Sequence, residues 1–256
     1  MARGSDTRRS RKNTWVVPAI IIAVAVVLIG IVVVMSRDTG SAGAGPQTAA
    51  GAQVGPEVPS QGGSAQEPAG PDLTAVETRD ETDPLAVGPV DAPVGLVVFS
   101  DYQCPYCAKW SAETLPAMME YAKAGDLRIE WRDLNLFGPA SERASRAAYA
   151  AALQGEDAYL EYHHALFNNG ENRSEEQLSD EALIALAGDL GLDTEAFTAD
   201  FHAPETAEVV AGNAQLGPDL GVYSTPAFIL GGQPIMGAQP TEVFLGAVEP
   251  ALSDKE

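Results

Sequence analysis

The sequence predicts an α/β domain with a helical block inserted in it, carried behind a transmembrane helix and a disordered linker. Three observations predict this. Residues 15–35 contain no charged side chain. Residues 39–71 hold only Val54 and Val58 as bulky apolar residues. From about Leu85 onward the apolar pattern reads strand, helix, strand, several helices, hairpin and helix.

The span from Trp15 to Met35 reads W-V-V-P-A-I-I-I-A-V-A-V-V-L-I-G-I-V-V-V-M. At about 1.5 Å per residue it covers roughly 30 Å, the hydrocarbon thickness of a bilayer. Arg3, Arg8, Arg9, Arg11 and Lys12 precede it against the single acid Asp6. Residues 1–14 should therefore stay cytoplasmic and the rest lie outside, as a single-pass protein of the cell membrane. The run is longer than the roughly 7–15 apolar residues of a cleaved signal peptide. Cleavage among the small residues Ser41 to Gly45 is the competing reading. No cysteine follows the span closely enough for a lipoprotein thioether anchor.

Residues 36–84 read as linker. Gly, Ala, Pro, Gln, Ser and Thr dominate and bury too little surface to offset the entropy of ordering. A coil of this length reaches roughly 30 Å. The acidic stretch Asp72–Asp83 continues it. The net charge is −21 although the N-terminus is basic. The exported part is thus strongly acidic, which excludes nucleic acid as a partner.

The folded domain is expected over residues 85–254. Val94–Phe99 is short and valine-rich, as a buried strand should be. A helical pattern runs from the cysteines to about Ala124. Pro105 suits its first turn, Pro116 should kink it, and Gly125-Asp126 should end it. Leu127–Leu134 alternates and reads as a second strand. Helices are expected over Ser141–Gln154, Glu156–Asn168, Ser179–Leu190, Thr194–His202 and Glu205–Leu216, with the inserted block at about residues 140–203. Ala227–Leu230 and Pro234–Met236 form a hairpin through Gly231-Gly232. Thr241–Leu252 closes the chain as a helix. The strand–helix–strand start implies a parallel pair with a right-handed crossover.

Both cysteines, Cys104 and Cys107, lie in F-S-D-Y-Q-C-P-Y-C. Zinc needs three or four protein ligands. The histidines, His163, His164 and His202, have no ligand spacing to a second cysteine pair, so no metal is expected. A staple over so small a loop would restrain the unfolded chain little. A redox pair is the stronger reading in an exported chain. Cys104 at a helix start faces unpaired N–H groups and the helix dipole, which favour a thiolate. Cys107, one turn in, should be the more buried, resolving thiol. Pro105 and Tyr106 between them carry no positive charge.

That segment resembles the active-site segment of the DsbA-like branch of the thioredoxin superfamily. V-G-P-V-D-A-P-V resembles the branch's lead-in to its first strand. D-L-N-L-F-G-P-A-S-E-R-A-S-R-A-A resembles its entry into a helical insertion. G-V-Y-S-T-P-A-F-I-L-G-G resembles its cis-proline loop and hairpin. The resemblance covers about residues 84–252 and none of the linker or span. It implies a thioredoxin-like fold with an inserted helical domain. It also implies an exported thiol–disulfide oxidoreductase with no cofactor beyond a redox-active Cys104–Cys107 disulfide. Cys104 would be the exposed nucleophile and Cys107 the resolving cysteine. Thr225 and Pro226 would be a cis-proline pair facing the disulfide, offering the Thr225 backbone to an extended substrate.

Tyr102 and Tyr106 are candidates to line a peptide groove. Asp101 is a candidate to tune a thiol or to relay a proton to the buried cysteine, with a solvated loop acid as the equal alternative. Trp110, His163 and His164 read as packing residues. The expected reaction is oxidation of reduced exported proteins. Reoxidation falls to a quinone-linked membrane enzyme of the DsbB or VKOR type. A reductase or isomerase, and a non-catalytic peptide-binding holdase, are the alternatives.

Overall fold

The computed structural model describes residues 73–253 except Asn169. The expected cytoplasmic segment 1–14, the span 15–35 and the linker up to residue 72 lie outside the described residues. Among the described residues no helix is long and apolar enough to cross a membrane.

A five-stranded sheet in the order β1-β3-β2-β4-β5 organises the domain. Its strands are β1 (Ala86–Val87), β2 (Val94–Ser100), β3 (Leu127–Asp133), β4 (Ala227–Leu230) and β5 (Gln233–Met236). Every residue of β2 is buried; a central strand covered on both faces has no polar side, so its sequence does not alternate. β2 and β3 are parallel, from Val94 opposite Leu127 to Ser100 opposite Asp133. β4 returns antiparallel, with Ala227 opposite Phe99. β1 has only two residues, too few to show a period.

The helices are α1 (Pro105–Glu113), α2 (Leu115–Ala124), α3 (Pro139–Ala152), α4 (Glu156–Leu166), α5 (Asp180–Asp189), α6 (Thr194–Phe201), α7 (Pro204–Asp219) and α8 (Thr241–Ser253). The single kinked helix expected up to Ala124 is two helices, broken at Thr114. Pro116 cannot donate to the carbonyl four residues back, and its ring crowds that carbonyl, so the break falls just before it. Thr114 Oγ1 meets Thr241 Oγ1 at 3.0 Å and ties the break to the start of α8. α7 runs past the expected end at Leu216 because Gly217 lets it sit directly on Leu134. In α3, Ala144, Ala147, Ala148, Ala150 and Ala151 are fully buried; their small size brings the surrounding helices close.

The sheet separates two cores. Leu96, Val98, Ile129 and Trp131 face the side carrying α1 and the cysteines. Val97, Phe99, Leu134, Ala227 and Ile229 face the other.

The sequence reading extends the linker to residue 84, and here the structure differs. Residues 73–84 form a strap bonded to the sheet. Glu130, buried on β3, accepts bonds from Thr78 N and Oγ1 at 3.0 Å and from Arg79 N at 2.9 Å. It also pairs with Arg128 at 2.9 Å and Arg132 at 3.0 Å, and Arg132 reaches Asp83 at 2.8 Å. Leu73 N donates to Gly232 O at 2.9 Å. The Glu77 carboxylate fills the space that a side chain at Gly95 would need. The strap is polar because it complements buried charges on β3. Its own composition does not reveal that partner.

Candidate active site

β2 ends at Ser100, a tight turn follows, and α1 starts at Pro105, whose missing N–H costs nothing in a first turn. Cys104 is the N-cap of α1, with φ −82° and ψ 116°. Its N–H donates to Asp101 O at 3.0 Å, and its carbonyl accepts from Cys107 N at 3.0 Å and Ala108 N at 3.1 Å. The Cys104 Sγ–H donates to the Thr225 carbonyl at 3.2 Å. The Thr225–Pro226 peptide is cis. Gly237 N donates to Pro226 O at 2.9 Å, joining this loop to the end of β5. Two segments far apart in sequence thus meet at one sulfur.

The two thiols are unbridged and oppositely biased. A hydrogen bond from Cys107 lowers Cys104 to about 6, against the opposing effect of burial, with help from the Thr225 side chain and from the N–H groups of Cys107 and Tyr106. Burial pushes the Cys107 thiol up, reinforced by Cys104, while Ser100 and the Asp101 N–H oppose this. One sulfur is a good leaving group and a ready thiolate; the other holds its proton.

Several expectations need correction. Cys104 is not exposed: it is 2% accessible, against 1% for Cys107, because the Thr225–Pro226 loop sits over it. Tyr102 does not line a groove. It is buried, its hydroxyl lies 2.9 Å from His163 Nδ1, and its carbonyl accepts from Asn172 Nδ2 at 2.9 Å. Asp101 is not a solvated acid. Its carboxylate is fully buried and accepts from Gln103 N at 2.8 Å, Ser141 Oγ at 2.6 Å and Phe137 N at 3.3 Å. It braces the turn before Cys104 against α3, and its main chain meets the Cys107 sulfur.

Tyr106 is 64% exposed. Sequence reasoning missed its companions. Phe137, Tyr223 and Met236 are also exposed. Phe137 is tied to Asp101, Tyr223 lies just before Thr225, and Met236 pairs with Ala227. Phe137 and Tyr223 lie in loops and Met236 at the end of β5, close in sequence or pairing to the residues around the thiols. Exposed aromatics in loops were the available signal. The sequence pattern places Asp133 only within the second strand, Leu127–Leu134. It is buried, burial and then Asp101 push it up to about 7, and among the described residues its Oδ1 has no hydrogen-bond partner.

A cavity of about 860 Å³ lies at the far end of the sheet between Glu77, Arg79, Val94 and Leu230, away from the thiols. No cluster among the described residues would hold a metal ion.

A reactive cysteine capping a helix, a buried partner one turn on, and a cis-proline loop against a thioredoxin-like sheet define a thiol–disulfide oxidoreductase. The chain belongs to the DSBA-like thioredoxin domain family, which matches residues 95–249. It is 25% identical over 150 residues to the probable disulfide bond formation protein D of Bacillus cereus, covering 57% of this chain and 69% of that protein. It is 31% identical over 190 residues to a Na(+)/H(+) antiporter NhaA 1 of a Mycobacterium species, covering 73% of this chain but only 29% of the antiporter. A thioredoxin-like oxidoreductase from Silicibacter pomeroyi superposes with a TM-score of 0.55 at 28% identity, covering 68% of this chain and 99% of that one.

Proposed function

We propose that this oxidoreductase is a membrane-tethered dithiol oxidase acting on exported proteins through Cys104 and Cys107. The observation that carries the reading is the opposite bias of the two thiols. A Cys104 thiol lowered to about 6 stabilises the reduced form at neutral pH, and a stabilised reduced form makes the disulfide oxidising. A substrate thiolate attacks Cys104 Sγ and expels Cys107. A second substrate thiolate then attacks the substrate's own sulfur and expels Cys104. The redox-active disulfide is the whole cofactor.

The Thr225 carbonyl beside Cys104 gives an extended substrate a main-chain acceptor next to Pro226. Tyr106, Tyr223 and Met236 offer apolar contact to an unfolded segment, the form in which a reduced substrate arrives. A quinone-linked membrane enzyme of the DsbB or VKOR type would remove the electrons.

The uncharged run 15–35 and its basic flank support a single span with the catalytic domain outside. Leu73 bonds to the β4–β5 turn, at the end of the sheet away from the thiols.

The equilibrium potential of Cys104–Cys107 in glutathione buffers tests the reading. A value near about −120 mV supports the oxidase, and one near about −270 mV replaces it with a reductase. A Cys104→Ser variant with full activity would leave only a peptide-binding module.

A further inference from the structure

At the far end of the sheet, several residues weaken the elements they sit in. Gly246 and Pro250 lie in the interior of α8, where glycine and proline are the two poorest helix formers. Pro250 has no N–H for the carbonyl of Gly246, the bond an α-helix would otherwise close there. Packing does not demand the glycine, because a Cβ at Gly246 would meet nothing within 4 Å. Gly95 stands in β2, and its missing side chain makes room for the Glu77 carboxylate. All four of these residues line the cavity of about 860 Å³. Local rules broken together at one place, with no packing reason at Gly246, mark a functional site. The volume falls inside the roughly 300–1,000 Å³ of small-molecule sites.

The polar groups of the cavity define what it can hold. The Glu77 side chain is 6% exposed. Its Oε2 accepts both bonds from Arg79, at 2.9 Å from Nε and 2.6 Å from Nη2. Its Oε1 accepts none among the described residues. The Arg79 Nη1 donates to the carbonyls of Val90 and Ala92. Arg79 thus cancels the charge of Glu77 and directs most of its N–H groups to fixed partners. A cationic ligand would face Arg79, and an anionic one would face Glu77. Gly246 and Pro250 both line the cavity, so the carbonyl released between them lies on its side. That carbonyl and Glu77 Oε1 are both acceptors. Around them Ala92, Pro93, Val94, Leu230 and Ala247 form apolar walls.

We propose that this cavity binds an uncharged amphipathic small molecule. Its apolar body fills the walls, and its hydroxyl or amide N–H groups donate to Glu77 Oε1 and the Gly246 carbonyl. The ligand bridges α8 and the strap that carries Glu77 and Arg79. The site lies away from the thiols and asks nothing of the redox reading, so each stands or falls alone.

The test is methyl NMR on the full chain in lipid nanodiscs. Alanine, valine and leucine methyls are labelled, so that Val94, Leu230 and Ala247 report from the walls. The probes share one alkyl chain: n-hexyl-β-D-glucoside, which is neutral and carries donors, hexanoate and hexylammonium. The glucoside is expected to shift the wall methyls saturably and to bind about tenfold tighter than either ion. Gly246→Phe occupies open space and should abolish those shifts. Glu77→Gln should weaken the glucoside about tenfold, because Arg79 retains the amide oxygen and the NH2 takes the place of Oε1.

Wall methyls that stay unmoved with every probe, or that move equally in Gly246→Phe, overturn the site. Equal or tighter binding of either ion overturns the ligand class. An unchanged affinity in Glu77→Gln overturns the proposed bonding. If that variant loosens the strap, Gly246→Phe decides the matter, since no neighbour crowds its Cβ.

Discussion

The Tyr102 hydroxyl sits 2.9 Å from Nδ1 of His163, joining the turn before Cys104 to the inserted helices. The rings of Trp131, Tyr159 and Phe167 enclose the imidazole. Ser111 Oγ lies 3.4 Å from its Nε2. Burial, then His164, holds His163 down to about 3, so it stays neutral where a free histidine would be charged.

Acid should therefore loosen the active-site turn. A histidine depressed from 6.5 to about 3 takes up its proton earlier in the unfolded chain. Its neutral burial costs nothing above pH about 6.5, and stability falls as pH drops from there toward about 3. The loss should reach about 3 kcal/mol near pH 4.5. Urea melts of wild type and His163→Gln across that range check this. The variant's stability should fall less steeply with acid, and parallel curves would refute the assignment.

The potential should bend with pH at the Cys104 titration. The thiol is lowered from 9.0 to about 6, so the reduced form gains stability as pH rises through that interval and loses it as pH falls through about 6. The disulfide form has no thiol and gains nothing. Below the bend two protons accompany two electrons, and above it one does. The slope should change from about 59 to about 30 mV per pH unit. A straight line through pH 5 to 8 would count against a lowered Cys104, those limits being about one unit below and about two above its titration.

Cys107→Ser should trap a mixed disulfide on Cys104, seen as a covalent adduct by mass spectrometry. Cys104→Ser should trap none. Adducts through Cys107 in the second variant would reverse the assigned roles.

Peptide recognition should depend on the exposed rings. Tyr106→Ala and Tyr223→Ala should raise KM for an unfolded dithiol peptide several-fold while leaving exchange with a small dithiol unchanged. Each exposed ring is expected to contribute about 1 kcal/mol to peptide binding. Equal loss with both substrates would place these residues in the chemistry instead.

Glu130→Gln should cost about 3–5 kcal/mol, because it leaves Arg128 and Arg132 buried without their shared partner. The strap 73–84 should then exchange its amide hydrogens faster than the sheet does. A strap as protected as in wild type would show that Glu130 does not hold it.

Much of the domain was legible locally. The valine-rich β2, the alternating β3, the Gly-Gly hairpin and most helix limits follow from patterns a few residues long. The cysteine pair declared itself by type and spacing, whereas the T-P loop stood out only through its resemblance to the DsbA-like branch. β1 was invisible because two residues carry no period. The strap was misread because polar, acidic sequence looks the same in a solvated linker and in a segment bonded to buried arginines. Tyr102 was misplaced because an aromatic in a turn suits a groove or a core equally well.

Sequence-local chemistry was enough to establish the fold class, the reactive pair and its place at a helix start, since each depends on contacts within one or two turns. Accessibility and partnership were settled by folding. The cover over Cys104, the fully buried Asp101 and the alignment of Ser100 with Asp133 come from segments distant in the chain. Strand register and loop packing bring them together, and neither is encoded in any short stretch of residues.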